Sequence, residues 1–346
     1  MFSTARRARQ AFGFHCLLLA VCMLACSGPP PATPLAQAAQ EPAGSGRPEP
    51  VRLWSDASIF TLVGGLIGSA RQRVLVEVYE LGRADLVVSL GASRARGVDV
   101  RVVTDPTVVA SRSAAQWLDE LGVPERAYPV DDGRHQIDHV KLLVADGQAV
   151  VGGMNWGAHS DRNHDYVLET GVTVEVGRAV AVFEQDWRLA GGRPAPLAAA
   201  FGAIAQTAPG EEIRAMLEAA LKAARAWVLA EVYTLTDPAT IAGLSAAKRR
   251  GLDVRVMLDP NQPYNRHGYE VLRASGVSVR WYPVPRGTLL HAKIGLFDGV
   301  LVLGSANWTL SGLGVNHELD IETRDPHAVA AYRSRFESDW SRSAGG

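Results

Sequence analysis

Apolar and polar positions along this chain trace one order of elements, and then trace it again. Residues 59–73 and 211–227 carry helical spacing, the second rich in Ala, Leu, Glu and Lys. Val74–Tyr79 and Val228–Tyr233 are apolar runs of strand length, each interrupted by one glutamate, Glu77 or Glu231. Helices are predicted around Ala84–Arg96 and Pro238–Arg250, stopped by Gly97 and Gly251. Strands follow at 98–104 and 252–258, then a short helix ending in Gly122 or Gly276. His139–Ala145 and His291–Phe297 are strand-like, and Asp146-Gly147 and Asp298-Gly299 supply tight turns in which Gly is expected to take the positive φ. The returning strands are Gln148–Val151 and Val300–Leu303. Strand–helix–strand alternation with apolar strands predicts an α/β fold, a sheet covered by helices on both faces.

The repetition extends to residue identities. Val76-Glu77-Val78-Tyr79 returns as Ala230-Glu231-Val232-Tyr233, and the run Gly97–Pro106 returns as Gly251–Pro260. Asn163-His164-Asp165 matches Asn316-His317-Glu318, and Asp186-Trp187 matches Asp339-Trp340. A period this long is a duplicated domain, because solenoid repeats run to about 20–50 residues. The halves span 51–197 and 198–346, so the expected fold is two tandem α/β/α sandwich halves related by a pseudo-two-fold, with the site at their seam.

The first 26 residues read as an export signal. Arg6, Arg7 and Arg9 precede an apolar stretch that is shorter than the roughly 20 residues needed to span a bilayer. Met23-Leu24-Ala25-Cys26 resembles a lipoprotein processing box, which makes Cys26 the expected acylation site and the cell envelope the expected location. The rival is ordinary cleavage after Ala36-Gln37-Ala38 and secretion. Residues 27–50 hold seven prolines and form a stiff tether. Cys16, Cys22 and Cys26 are the only cysteines, so the folded part offers no thiolate to zinc or to nucleophilic catalysis. Net charge is −1, and −4 once the three signal arginines are removed, which is not the basic footprint of a general duplex-DNA binder.

The chemistry lies in a doubled constellation. His139-x-Lys141-x4-Asp146 is followed by Gly152-Gly153-Met154-Asn155, and His291-x-Lys293-x4-Asp298 by Gly304-Ser305-Ala306-Asn307. Side-chain period two puts His139 and Lys141 on one strand face and Val140, Leu142 and Val144 into the core. Two histidines can split phosphodiester cleavage into two steps, one attacking phosphorus while the other protonates the departing alcohol. Two lysines can supply the charge stabilisation a magnesium ion would otherwise provide, so no metal or cofactor is implied. Asn155, Asn307 and the small residues beside them can donate to phosphate oxygens. Asp146 and Asp298 read as turn-formers outside the catalytic set. Glu77 and Glu231 are costly inside apolar strands unless partnered, and are expected to brace a catalytic group at a sheet edge. His164 and His317 suggest local structural contacts, and Trp156 and Trp308 core plugs. His159/His164 and His135/Asp138/His139 have zinc-ligand types, but without a repeated counterpart or a cysteine they are rejected as a metal site.

On these residues the chain resembles the phospholipase D superfamily, whose signature is two H-x-K-x4-D motifs each followed by G-S-x-N. The match covers nearly everything after residue 50. The resemblance implies a sandwich of two α/β halves and a metal-independent phosphohistidine mechanism. It carries His139 and His291 to nucleophile and general acid. It carries Lys141, Lys293, Asn155 and Asn307, with Ser305 and Gly153, to phosphate binding. Asp165 and Glu318, at the family's downstream acidic position, are implied to orient the histidines. Gly153 stands where the pattern has serine, so the first half lacks one hydroxyl donor.

The leading reading is an exported phosphodiesterase that hydrolyses phospholipid head groups or transfers phosphatidyl groups to alcohols. A metal-independent nuclease acting on nucleic acid is the first alternative, and a non-catalytic module binding anionic head groups the second. Both half-sites lie in one chain, so a monomer suffices. The near-symmetry leaves open which histidine attacks.

Overall fold

The computed structural model describes residues 51–343; the export signal, Cys26 and the tether lie outside the described residues. The first half runs β1 (Val51–Ser55), α1 (Ser58–Ser69), β2 (Arg73–Val78), α2 (Ala84–Ala95), β3 (Asp99–Thr104), α3 (Val109–Glu120) and β4 (Glu125–Ala127). It continues through β5 (Lys141–Ala145), β6 (Gln148–Gly152), β7 (Tyr166–Thr170) and α4 (Thr173–Ala190). The second half repeats the order with β8 (Ile204–Thr207), α5 (Glu212–Ala223), β9 (Trp227–Val232), α6 (Pro238–Arg249), β10 (Asp253–Leu258), α7 (Asn265–Ala274) and β11 (Ser278–Trp281). It ends with β12 (Lys293–Phe297), β13 (Val300–Gly304), β14 (Glu318–Thr323) and α8 (Pro326–Arg342).

Each half builds one seven-stranded mixed sheet, ordered β1-β7-β6-β5-β2-β3-β4 and, in the second half, β8-β14-β13-β12-β9-β10-β11. The β2–β3–β4 and β9–β10–β11 sections are parallel and the remaining pairs antiparallel. Helices α1–α3 cover the outer face of the first sheet, and α5–α7 the outer face of the second. Between the sheets lies one shared core, in which Val182 and Phe183 of α4 and Tyr332 and Phe336 of α8 pack with residues of both sheets. The expected α/β halves are therefore present, fused through a common apolar layer.

Several local expectations are corrected. The helices predicted over 59–73 and 211–227 stop at Ser69 and Ala223. The Asp146 carboxylate accepts the N–H groups of Arg71, Gln72 and Arg73, and Asp298 accepts those of Arg225, Ala226 and Trp227. Donors held that way cannot extend a helix, so β2 and β9 begin there. The positive φ of each hairpin turn falls on Asp146 (50°) and Asp298 (54°) rather than on the glycine after them. Val140, Leu142 and Val144 enter the shared core as expected, and Leu143 and Ala145 enter the outer one. His139 and His291 lie two residues ahead of the regular strands. Finally, β2 and β9 are interior strands, so Glu77 and Glu231 are not at a sheet edge.

Candidate active site

The two motifs meet at the seam, and each is completed by the opposite half. His139 Nδ1 lies 2.9 Å from Glu318 Oε2, and His291 Nδ1 lies 2.7 Å from Asp165 Oδ2. The backbone sets up this crossing. The His139 N–H donates to His317 O (2.8 Å) and the His291 N–H to His164 O (2.8 Å), which brings the residue after each acceptor to the facing imidazole. Lys141 Nζ donates to His139 O at 2.6 Å, and Lys293 Nζ to His291 O. Lys293 Nζ also lies 2.9 and 3.0 Å from the two ring nitrogens of His291. Both histidines and both lysines are buried.

Tyr79 and Tyr233 wall the site, and sequence reasoning had not placed them there. Their rings stand 4.9 Å from those of His139 and His291. Lys141 and Lys293 sit 5.2 and 5.4 Å from the same tyrosine rings, within cation–π range. The signal was available, because each tyrosine closes a repeated strand. The side-chain oxygens of Asn155 and Asn307 are buried without a hydrogen-bond partner.

Burial dominates the electrostatics. It pushes Lys141 down to about 7 and Lys293 to about 8. It also lowers His139, an effect that Glu318 opposes. At His291, burial and the adjacent Lys293 outweigh Asp165 and bring the imidazole to about 4. Burial would raise Glu318, but His139, Lys141 and Ser305 hold it below the ordinary range. Burial thus suppresses the positive charge of the site, and an entering anion would favour it.

The family described as "Cardiolipin synthase, PLD-like domain" matches this chain twice, over residues 64–187 and 217–340. The chain belongs to this family. A mitochondrial cardiolipin hydrolase of Xenopus laevis is 36% identical over 112 residues, covering 32% of this chain and 52% of that protein. A cardiolipin synthase A of Pseudomonas putida is 29% identical over 308 residues, covering 77% of this chain and 63% of that protein. The chain therefore spans about half to two thirds of the length of these relatives. The crystal structure of a phosphatidylserine synthase from Haemophilus influenzae shares the fold, with a TM-score of 0.67 at 12% identity over 85% of this chain and 86% of that one.

Within this PLD-like frame the serine-to-glycine departure has a structural reason. In the second half, Leu319 N–H donates to Ser305 Oγ (2.9 Å), and that hydroxyl donates to Glu318 Oε2 (2.6 Å). The Ser305 hydroxyl is thus engaged with the carboxylate. In the first half, Tyr166 N–H donates directly to Asp165 Oδ1 (2.8 Å), and a Cβ at Gly153 would collide with that oxygen. The shorter acid occupies the place of the serine side chain, so Gly153/Asp165 and Ser305/Glu318 are alternative fillings of one space.

The neighbouring histidines are seam residues: His164 makes the expected local contact, 2.9 Å from Tyr166 Oη, and both rings also reach across to the other half. His164 reaches into the second half, within 3.3 Å of both Glu231 and Asp339, and stacks on Tyr282. His317 reaches into the first half, 3.3 Å from Glu77 and 3.1 Å from Asp186, and stacks on Tyr128. His164 hydrogen-bonds Glu231, whereas His317 lies within ion-pair distance of Glu77, neither of whose oxygens has a hydrogen-bond partner. Burial disfavours a charged His164 ring, but Glu231 and Asp56 outweigh it and raise its pKa to about 9. At His317 burial is likewise outweighed, by Asp186 and Glu77 among its neighbours. Glu77/Asp138/His317 and His164/Glu231/Asp339 have ligand atoms within 4.8 Å of one another, so they are the described groups with metal-type donors. In the second group Arg335 already pairs with Asp339 (2.8 Å). Trp156 and Trp308 are buried, as core plugs should be.

Proposed function

We propose that this PLD-like chain is a phosphodiesterase that hydrolyses phospholipid head groups, or transfers the phosphatidyl group to an alcohol, through a phosphohistidine and without a metal. The observation that carries this reading is the crossed pairing, in which two buried histidines each lean on a carboxylate from the other half beside two buried lysines. One imidazole, neutral because it is buried, attacks phosphorus and forms a P–N bond while the bond to the departing alcohol breaks. The bound phosphate anion favours protonation of the second imidazole, which hands its proton to the leaving oxygen. Water or another alcohol then gives up a proton to that histidine, attacks phosphorus and breaks the P–N bond. Lys141, Lys293, Asn155 and Asn307 hold the phosphate oxygens throughout.

Phospholipid as substrate is supported by the names of the matched cardiolipin hydrolase and cardiolipin synthase. We place the protein at the cell envelope on the strength of its arginine-led apolar leader and Cys26. The test offers the protein mixed phosphatidylcholine/phosphatidylglycerol vesicles and single-stranded DNA together in excess EDTA, with products followed by mass spectrometry. Free head group or phosphatidyl-alcohol with intact DNA is expected. Cut DNA with intact lipid would make it a nuclease, and loss of lipid turnover in EDTA would remove the metal-free mechanism. Rapid acid-free quenching is expected to leave a phosphatidyl group on one of the two histidines, and the labelled peptide identifies the nucleophile.

A further inference from the structure

The pseudo-two-fold fails in one place beside the catalytic centre. Residue 80, directly after the wall tyrosine Tyr79, is Glu; its counterpart after Tyr233 is Thr234. Glu80 is half-buried, and among the described residues its carboxylate makes no hydrogen bond or ion pair. Burial raises its pKa and the charge of Lys141 lowers it, so the carboxylate lies within electrostatic reach of the motif lysine. Gly157 makes room for it: a Cβ there would lie 2.5 Å from Glu80 Oε1.

The carboxylate faces a cavity of about 580 Å³ between the loop that follows Asn155 and the loop that precedes His291. His159, Ser160, Asn163, Asn261 and Thr288 contribute to its wall, and no lysine or arginine does. Leu289 N–H donates to Asn163 Oδ1 (3.1 Å) across this cavity, and at the pseudo-equivalent seam Gln136 Nε2 donates to Val315 O (2.8 Å) and Arg134 Nη2 to Gly314 O (3.4 Å). The wall of this cavity is polar and carries one carboxylate, which feels the charge of the motif lysine Lys141. A half-buried carboxylate without a partner is most stabilised by a cation, and it repels a second phosphate. A second phosphate entering this cavity would meet Glu80 and no lysine or arginine in its wall.

We propose that this cavity is the subsite for the alcohol portion of the phosphodiester, selective for an ammonium-bearing head group over an uncharged or anionic one, with Glu80 as its specificity-determining residue. The proposal deepens the phospholipid reading and rests on it for the ligand class. Its test is binding, which does not depend on turnover. Full-length His139→Ala protein is titrated calorimetrically with glycerophosphoethanolamine and with glycerophosphoglycerol at pH 8. The first is expected to bind up to about fivefold tighter, the upper scale of one partly shielded charge contact. Adding Glu80→Gln, or Gly157→Ala to displace the carboxylate, is expected to bring the ratio near one. Equal affinities with Glu80 intact, or a preference that survives both substitutions, would overturn the subsite. Glu80-dependent binding without cleavage of phosphatidylethanolamine vesicles by the unsubstituted protein would keep the subsite and sink the lipid hydrolase. Cleavage without discrimination would do the reverse.

Discussion

The two half-sites present the same chemistry with different fillings. His139 leans on Glu318, whose carboxylate is steadied by the Ser305 hydroxyl and by Asn316 Nδ2 (3.1 Å). His291 leans on Asp165, whose other oxygen takes the backbone N–H of Tyr166 at the place where Ser305 takes that of Leu319. One side uses a long acid plus a hydroxyl, the other a short acid alone. A duplicated site thus drifts in compensating pairs, because the constraint is an oxygen at the right distance from imidazole Nδ1 rather than a particular residue.

The bluntest way to break the comparison is to remove either histidine. His139→Ala and His291→Ala are each expected to lower kcat/KM by at least about 10³-fold, and the double variant by little more, since groups that act as a unit are not additive. A single variant retaining a tenth of the activity would show that the half-sites work independently. Removing the carboxylates while keeping their shape comes next. Glu318→Gln and Asp165→Asn are each expected to cost on the order of 10²- to 10⁴-fold in kcat, the scale seen when a histidine loses its orienting acid. A loss confined to KM would reassign these acids to substrate binding.

The sharper test exchanges the fillings. Gly153→Ser forces a side chain into Asp165 and is expected to lower kcat roughly tenfold by displacing that acid from His291. Gly153→Ser combined with Asp165→Glu rebuilds the first half in the image of the second and is expected to recover most of that loss. A double variant as poor as the product of its singles would refute the coupling.

How much of this was legible beforehand follows from where each contact lies along the chain. The histidines, lysines and asparagines were readable because two copies keep them in register. Asp165 and Glu318 were readable only by position in the repeat, because their partners are 126 and 179 residues away. Separation along the chain also hid the His317–Glu77 and His164–Glu231 contacts, whose acids were recognised as needing partners but assigned to a sheet edge. The helix ends at Ser69 and Ala223 were misplaced because the groups that stop them, Asp146 and Asp298, arrive from a hairpin more than 70 residues later. Local propensity alone cannot see a competitor for backbone donors that distant.

A smaller effect separates the half-sites by pH. With Lys141 near 7 and Lys293 near 8, the empty protein binds fewer protons than its unfolded chain between those values and the ordinary 10.5. These two groups therefore make stability rise with pH across that window. Phosphate favours the protonated forms, so its affinity is expected to fall from pH 6 to pH 9, with proton uptake on binding at pH 8. Calorimetry in buffers of different ionisation enthalpy measures that uptake. Nitrogen NMR is expected to find His291 neutral down to about pH 4 in the empty protein. An imidazolium at pH 6 would mean that Asp165 outweighs burial and Lys293 there.

The smallest expected effect on turnover falls on the last letter of the motif. Asp146 and Asp298 each accept three backbone N–H groups at the far end of their hairpins, and those bonds hold both carboxyls below the ordinary carboxylate range even though burial opposes it. Asp298→Ala is expected to cost about 1–3 kcal/mol in urea unfolding, the scale of hydrogen bonds to a charged acceptor, with kcat within about twofold of the parent. Asp146→Ala should behave alike, since the two turns have the same geometry. A drop in kcat without a shift in the unfolding midpoint would place the aspartate in the chemistry. A midpoint shift alone would show that the motif joins two catalytic residues to one that fixes where its strand begins.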